Sequence, residues 1–149
     1  MSLLLSALDG DVIMDNNWDV TIVVPGIAVN KKNNMLAVRG RVIKNKRVKD
    51  FEALVRTFAA VAMAKKRLAP FKRHLAIQVT AFYPDRKRRD VQNIPDVLFD
   101  AMEKVVYEND CQIVDIILSK RLCAKGDERT EIKIWELEND TRFPLVQKK

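Results

Sequence analysis

The chain has 149 residues, 48% of them hydrophobic, so it is long enough to bury a hydrophobic core and to form a single domain. Its 27 Lys and Arg residues outnumber its 20 Asp and Glu residues, and the net charge of +7 favours a polyanionic partner: nucleic acid first, with a ribosome or an anionic membrane as alternatives. No segment is apolar enough to span a bilayer and the first residues lack the basic flank of a secretory signal, so we expect a cytoplasmic protein that acts on nucleic acid rather than on a membrane.

The cysteine and histidine content excludes a zinc site of the Cys/His kind. The chain has 2 cysteines and 1 histidine, fewer than such a site needs. Cys111 and Cys123 lie at the two ends of a segment that is predicted to be a strand, and we expect both thiols to be reduced and buried.

The first predicted elements are a strand and a short hairpin. Residues 18–24 are rich in Val, Ile and Thr and predict a strand that stops at Pro25-Gly26. After a polar loop, residues 35–38 and 41–43 predict a hairpin across Arg39-Gly40.

The next two segments show clear periodicity. From Val48 the apolar residues recur every three or four positions and predict an amphipathic helix that runs to Arg67, with one face in the core. Residues 74–83 show the alternation of a strand, which Pro84 ends. We expect both elements to be scaffold.

A second helix and two strands complete the pattern. Asn93 is a suitable N-cap, Pro95 suits a first helical turn, and the apolar stripe continues to Val106 or Tyr107. Two further strands are predicted after it, at residues 112–122 and 129–137, joined by a hairpin turn.

Together these elements predict a single α+β domain at residues 18–138, with a mixed β-sheet and two main helices. An N-terminal arm at residues 1–17 and a C-terminal tail at 139–149 flank it. Because a helix crosses between strand 74–83 and strand 112–122, these strands are expected to run parallel if they are neighbours.

Charged residues cluster where strand 74–83 gives way to the second helix. Cations there could hold a phosphate backbone while carboxylates hold a divalent cation. Asp110 enters the next strand, and if the two strands are adjacent we expect the loop to bring Asp90 towards it. Spacing alone does not exclude a plainer interpretation, a solvated loop with turn carboxylates. The basic run that directly precedes Asp90 consists of Arg86, Lys87, Arg88 and Arg89.

These residues belong to a longer pattern that resembles a known family. The pattern is similar to that of the RusA family of Holliday junction resolvases, whose members carry a basic run, Arg-Asp-x-Asp-Asn, a helix with Asp-Ala-Leu, and Asp-Asp-x-Gln before a strand. The corresponding motifs in this chain are Arg89-Asp90-Val91-Gln92-Asn93, Asp100-Ala101-Met102 and Asn109-Asp110-Cys111-Gln112.

The resemblance implies a RusA-like fold and a bacterial or phage-encoded homodimeric endodeoxyribonuclease. Such an enzyme depends on Mg²⁺, with Mn²⁺ as a substitute, and resolves four-way DNA junctions by symmetric nicking during recombination and repair. By position, Asp90 and Asp110 match the metal-binding and catalytic carboxylates, and Asn93 matches the Asn beside the family's Asp-x-Asp pair.

Two positions depart from the family pattern. Gln92 replaces the second Asp of Asp-x-Asp, and Asp96 stands where the family has a Lys. A Gln oxygen can bind a hard cation but brings no charge, so metal affinity should fall; Asp96 is a candidate for the missing carboxylate. The alternative is a catalytically impaired RusA-fold protein that binds branched DNA without cutting it. Asp100, on the same helical face as Asp96, is expected to bond a loop.

Further basic residues extend the expected DNA surface. Lys72 and Arg73 precede strand 74–83, and we expect them to contact phosphates as the basic run does. Phosphate contacts would bind nucleic acid by shape rather than by sequence. A third interpretation, an RNA- or ribosome-associated protein, is left open by charge alone.

Overall fold

The computed structural model describes residues 18–31 and 35–137. The predicted N-terminal arm and C-terminal tail lie outside the described residues, as does the end of the predicted domain at residue 138. Within the described ranges the chain forms a four-stranded sheet, a separate two-stranded hairpin and two helices. The predicted α+β class with a mixed sheet is confirmed.

The strands follow the predicted order. Strand β1 precedes the hairpin, β4 follows the first helix, and β5 and β6 close the domain. Their bounds are Val20–Pro25 for β1, Met35–Val38 for β2, Arg41–Lys44 for β3, Leu75–Tyr83 for β4, Ile113–Leu122 for β5 and Arg129–Glu136 for β6.

The main sheet has the order β1-β6-β4-β5. Strands β4 and β5 are neighbours, and they run parallel as predicted for that case from the crossover helix, whereas β6 pairs antiparallel with both β1 and β4. In the parallel pair Leu75 lies beside Ile113 and Tyr83 beside Leu122. The carboxyl ends of β4 and β5 therefore meet at one edge of the sheet.

The hairpin of β2 and β3 closes through the two-residue turn that the sequence predicts. Arg39 and Gly40 both have positive φ, 49° and 77°. Positive φ at both central residues matches the right-handed twist of the flanking strands, and glycine adopts it without a Cβ clash.

Helix α1 spans Lys46–Lys65 and begins at the N-cap Asn45, whose side chain accepts from Val48 N at 3.1 Å. It packs against β1 and against helix α2, Pro95–Met102. The residues that α1 buries lie on one face, as predicted: Val48, Phe51, Glu52, Val55, Ala59 and Met63. Every second residue of β1 and β6 is buried, so the helices cover one face of the sheet and the other stays more open.

Helix α2 is shorter than predicted, and its cap was predicted wrongly. It ends at Met102 rather than at Val106 or Tyr107, because Glu103 is extended and Lys104 has a φ of 69°. The N-cap is Ile94, without a side-chain cap bond, since Asn93 closes a 3-10 turn instead.

The two cysteines are also less buried than predicted. Cys111 is exposed in the 3-10 turn Asp110–Gln112, and Cys123 is half-buried after the end of β5. The prediction failed at Cys111 because the Asn109 and Gln112 side chains close a capping box that delays the strand until Ile113. In the part of the chain that the structure describes, no helix is long and apolar enough to cross a membrane.

Candidate functional site

A cavity of about 510 Å³ lies beside the loop that follows β4. Its walls come from three segments: residues 27–30 after β1, Arg47 at the start of α1, and the loop from Tyr83 to Asn93. The cavity therefore lies at the carboxyl end of β4, between the segment that leads from β1 to the hairpin and the start of α1.

The loop after β4 is held by the side chain of Arg89. Its guanidinium pairs with Asp85 at 2.5 Å and lies over the Tyr83 ring, 4.4 Å from the centroid. The Arg89 carbonyl accepts from Lys120 Nζ at 2.8 Å. The loop is therefore tied to both parallel strands, and Arg89 contributes structure as well as positive charge.

The same contacts shift two pKa values. The hydrogen bond from Arg89, then that from Lys87 N, lowers the pKa of the Asp85 carboxyl. Burial raises the pKa of the Tyr83 phenol, against the opposing charge of Arg89. At neutral pH the Asp85 carboxyl is therefore ionised and the Tyr83 phenol is uncharged.

The cavity brings together part of the predicted site. Asp90, Asn93, Arg88 and Arg89 all line it. Asp90 is exposed and makes no side-chain cap bond to the 3-10 turn Val91–Asn93 that it precedes. A carboxylate and an amide therefore share one cavity with the guanidinium groups.

Four other predicted residues stand near the cavity without lining it. Arg86, Lys87 and Gln92 are exposed on the loop and its 3-10 turn, and Asp96 is exposed in the first turn of α2. Their side chains are accessible for a polyanion that extends past the cavity rim.

Asp110 lies at the other end of the sheet, so the expectation that it converges with Asp90 within one chain is wrong. Asp90 follows the carboxyl end of β4, whereas Asp110 precedes the amino end of β5. Because β4 and β5 are parallel, these ends are separated by the length of β4, roughly 26 Å from Leu75 to Tyr83 at about 3.3 Å per residue. Lys72 and Arg73, both exposed, belong to the Asp110 end.

The Asp110 end is organised by a buried side chain. Gln112 is 3% exposed, and its Oε1 accepts from Glu108 N and Asn109 N at 3.0 and 2.9 Å. Its Nε2 donates to the carbonyls of Phe71 and Arg73, each at 2.9 Å. Gln112 therefore fixes the turn that carries Asp110 against the chain entering β4.

Asp100 bonds a loop, as predicted. Its carboxylate pairs with Lys31, which follows the cavity wall at residues 27–30, and lies 3.7 Å from Lys44 Nζ of β3. Burial opposes the charge on Lys31, but the bond to Asp100 and its charge outweigh this and raise the pKa of Lys31. Lys44 also contacts the buried Glu52 at 2.7 Å. This network fastens the hairpin and the cavity wall to both helices.

The donors at the cavity fit a sparse Mg²⁺ site. Among the described residues no three His, Cys, Asp or Glu side chains form a metal cluster. Mg²⁺ is, however, commonly held by one or two carboxylates together with waters and substrate phosphate. Asp90 with the Asn93 amide meets that minimum, and Arg47, Arg88 and Arg89 would attract the phosphate that completes the ligand set.

The comparison with known proteins agrees with this arrangement. A model of the family described as endodeoxyribonuclease RusA matches residues 25–135, which include every cavity residue. The chain belongs to the RusA family. The resemblance in sequence is thereby confirmed.

Curated relatives of this RusA-family chain carry the name crossover junction endodeoxyribonuclease RusA. Those of Escherichia coli strain K12 and of Enterobacteria phage 82 are 37% identical over 65 residues, 43% of this chain. The match spans about half the length of these two relatives, 53%. The relative of Aquifex aeolicus is 30% identical over 120 residues, 78% of this chain and 90% of its own length.

The sequence had not indicated all of the site. It placed residues 27–30 between a strand and a hairpin without assigning them a role, and it assigned no role to Arg47, whereas the structure puts both on the cavity wall of this RusA-family chain.

Proposed function

We propose that this RusA-family chain is a Mg²⁺-dependent endodeoxyribonuclease that nicks four-way DNA junctions symmetrically as a homodimer, with Mn²⁺ as a substitute metal. The observation that carries the proposal is the cavity in which Asp90 stands among Arg47, Arg88 and Arg89. The printed names of the relatives, all crossover junction endodeoxyribonucleases, support the choice of substrate.

The residues divide into two proposed roles. Asp90 holds the metal, with Asn93 beside it and with Gln92 and Asp96 as auxiliary ligands from the adjoining turns. Bound Mg²⁺ supplies Lewis acidity to the scissile phosphodiester and lowers the pKa of an attacking water. The guanidinium groups of the cavity bind and orient phosphate, which positions the backbone for hydrolysis. Phosphate contacts outside the cavity are proposed for Arg86, Lys87, Lys72 and Arg73.

The proposed role of Asp110 requires a second chain. Within one chain Asp110 is separated from Asp90 by the length of β4. If both carboxylates serve the same ion, they must therefore come from two subunits, and the proposed homodimer provides the second.

A catalytically impaired junction-binding protein is the second candidate. It is favoured by Gln92, which supplies a neutral oxygen where the family has a carboxylate, so the charge that holds the metal is reduced. This candidate keeps the DNA surface and loses turnover. Restoration of cleavage by Gln92→Asp, alone or with Asp96→Lys, in a chain that otherwise binds without cutting would establish it.

The test is cleavage of a synthetic four-way junction with and without Mg²⁺, beside linear duplex. The wild-type chain should nick two opposed strands only with the metal, and Asp90→Asn should bind the junction but fail to cut it. Asp50→Asn, which changes an exposed carboxylate of α1 that does not line the cavity, is the matched control and should cut normally. Unchanged nicking by Asp90→Asn would contradict the proposed site, and preference for RNA in competition would contradict the substrate.

A further inference from the structure

A groove of about 340 Å³ lies between β1, at one edge of the main sheet, and helix α1. It shares no residue with the cavity that holds Asp90. We propose that the N-terminal segment, residues 1–17, docks in this groove of its own chain and pairs with the outer edge of β1 as an added strand. The docking requires neither DNA nor metal, and it does not depend on the proposed nuclease activity.

The outer edge of β1 offers backbone groups to an added strand. Among the described residues, β1 pairs with β6 on one side and ends the main sheet on the other. Gly26 N donates to Glu128 O at 2.9 Å, in the register of the β1–β6 pair. Because hydrogen-bonded positions alternate in an antiparallel pair, the N–H and C=O groups of Thr21 and Val23, which line the groove, point away from β6. Pro25, the next outward position, has no N–H, so the added pairing should end there.

The α1 wall of the groove is an apolar stripe that the core leaves uncovered. Phe58 and Val61 are 37% and 47% exposed, and Val23 of β1 is 44% exposed. With Lys65, the two α1 residues are spaced by three and four positions and so share one face of the helix. Lys65 and Lys66 line the groove at the end of α1. An apolar groove beside a sheet edge, with cations at its rim, suits an extended segment that carries apolar and acidic residues.

The N-terminal segment matches this groove in position and in its apolar residues. It leads directly to Trp18, whose ring packs against Trp135 of β6, with 4.6 Å between centroids, and fixes the chain just before β1. Residues 15–17, Asp-Asn-Asn, are turn formers that would let the segment return antiparallel along β1. Val12 and Met14 are two residues apart, so on a strand they share one face and would enter the apolar part of the groove together.

Charge favours this segment over the other end of the chain. The N-terminal segment has three Asp residues and no Lys or Arg, which complements Lys65 and Lys66 at the rim of the groove. Residues 138–149, which follow β6, have two acidic residues and three Lys or Arg residues, so they would bring positive charge to positive charge. Their apolar run also contains Pro144, which cannot donate a backbone hydrogen bond to β1.

Amide hydrogen exchange of the full chain, followed by NMR, tests the docking. In the wild type the outward amides of Thr21 and Val23 should exchange about tenfold or more slowly than unstructured amides, because the docked segment accepts their hydrogen bonds. Val12→Ser combined with Met14→Ser should remove most of this protection, since it takes the apolar side chains out of the groove. Ile13→Ser is the matched control: Ile13 lies on the opposite face of the proposed strand, so the protection should remain.

Charge reversal at the rim is a second test with the same measurement. Lys65→Glu combined with Lys66→Glu should lower the protection of the two outward amides by about threefold or more, because like charges then meet. Replacement of the segment's three Asp residues by Lys in that variant should restore the protection. Lys49→Glu combined with Arg56→Glu, at exposed positions of α1 outside the groove, is the control and should leave the protection unchanged.

The amides of Ile77 and Val79 in β4, an interior strand of the sheet, report the fold and should stay protected in every variant. Outward amides of β1 that exchange freely in the wild type would overturn the proposal, as would protection that survives the double Ser variant of the segment. Protection that rises with protein concentration would assign the groove to a second copy and overturn it too. Protection that is lost in Leu145→Ser instead would assign the groove to residues 138–149.

Discussion

At the scale of single residues, the contact between Arg89 and Asp85 fixes the loop that presents Asp90. The lowered pKa of Asp85 means that the folded state favours its carboxylate, so the contact is present above the ordinary value of 3.8 and is lost as pH falls through the lowered pKa. Carbon-detected NMR titration should place the pKa of Asp85 below 3.8, and Arg89→Gln should return it towards that value. An unchanged pKa in Arg89→Gln would show that Lys87 N, rather than Arg89, lowers it.

Arg47 provides a second prediction at this scale. It lines the cavity from α1, outside the basic run, as Arg88 does from the loop after β4, so under the proposed function both guanidinium groups would bind the same phosphate. Arg47→Ala should weaken junction binding by about 1.5 kcal/mol, roughly tenfold, as expected for one charged hydrogen bond. Fluorescence anisotropy with a labelled junction at fixed salt measures it. Arg56→Ala, exposed on α1 and outside the cavity lining, should bind within twofold of the wild type.

At the scale of elements, Gln112 decides where β5 begins. Its side chain bonds four backbone groups across two segments that are far apart in sequence. Gln112→Leu would leave those groups without their partners and should lower the free energy of unfolding by about 3 kcal/mol. Urea denaturation measures the change. Gln92→Leu, at an exposed position, is the matched control and should change stability by less than about 0.5 kcal/mol.

The sequence predicted the elements better than it predicted their ends. The alternation in β4 and the apolar stripe of α1 reflect burial on one face, which is a local pattern, and both elements formed where expected. The end of α2 depends on the turn at Lys104 and on the Tyr107 hydroxyl, which donates to Phe99 O at 2.7 Å. Such contacts interrupt a helix whose apolar spacing continues, so periodicity alone overestimates its length.

At the scale of the whole molecule, the separation of Asp90 from Asp110 bears on how many chains build one site. In the proposed homodimer each site would combine Asp90 from one chain with Asp110 from the other. The geometry of a single chain and the proposed homodimer are consistent with each other on this point.

Mixing inactive variants tests shared sites. Asp90→Asn and Asp110→Asn should each be inactive alone, but an equimolar mixture that exchanges subunits should recover roughly a quarter of the wild-type nicking rate, since half of its dimers carry one intact composite site. Single-turnover nicking of a four-way junction is the measurement. A mixture that stays inactive after exchange would contradict a site that combines Asp90 from one chain with Asp110 from the other. Asp50→Asn mixed with wild type controls for the exchange procedure.

The sequence by itself determined the α+β class, the order of the elements and the family, because these depend on local periodicity and on a contiguous motif. Only the tertiary structure decided which motif residues meet. It placed Asp90 with Arg47 and residues 27–30, which are remote in sequence, and it set Asp110 at the opposite end of the sheet. The physical reason is strand direction. In a parallel pair, the residues that follow the first strand and the residues that precede the second lie at opposite ends of the strands, even when one short motif contains both.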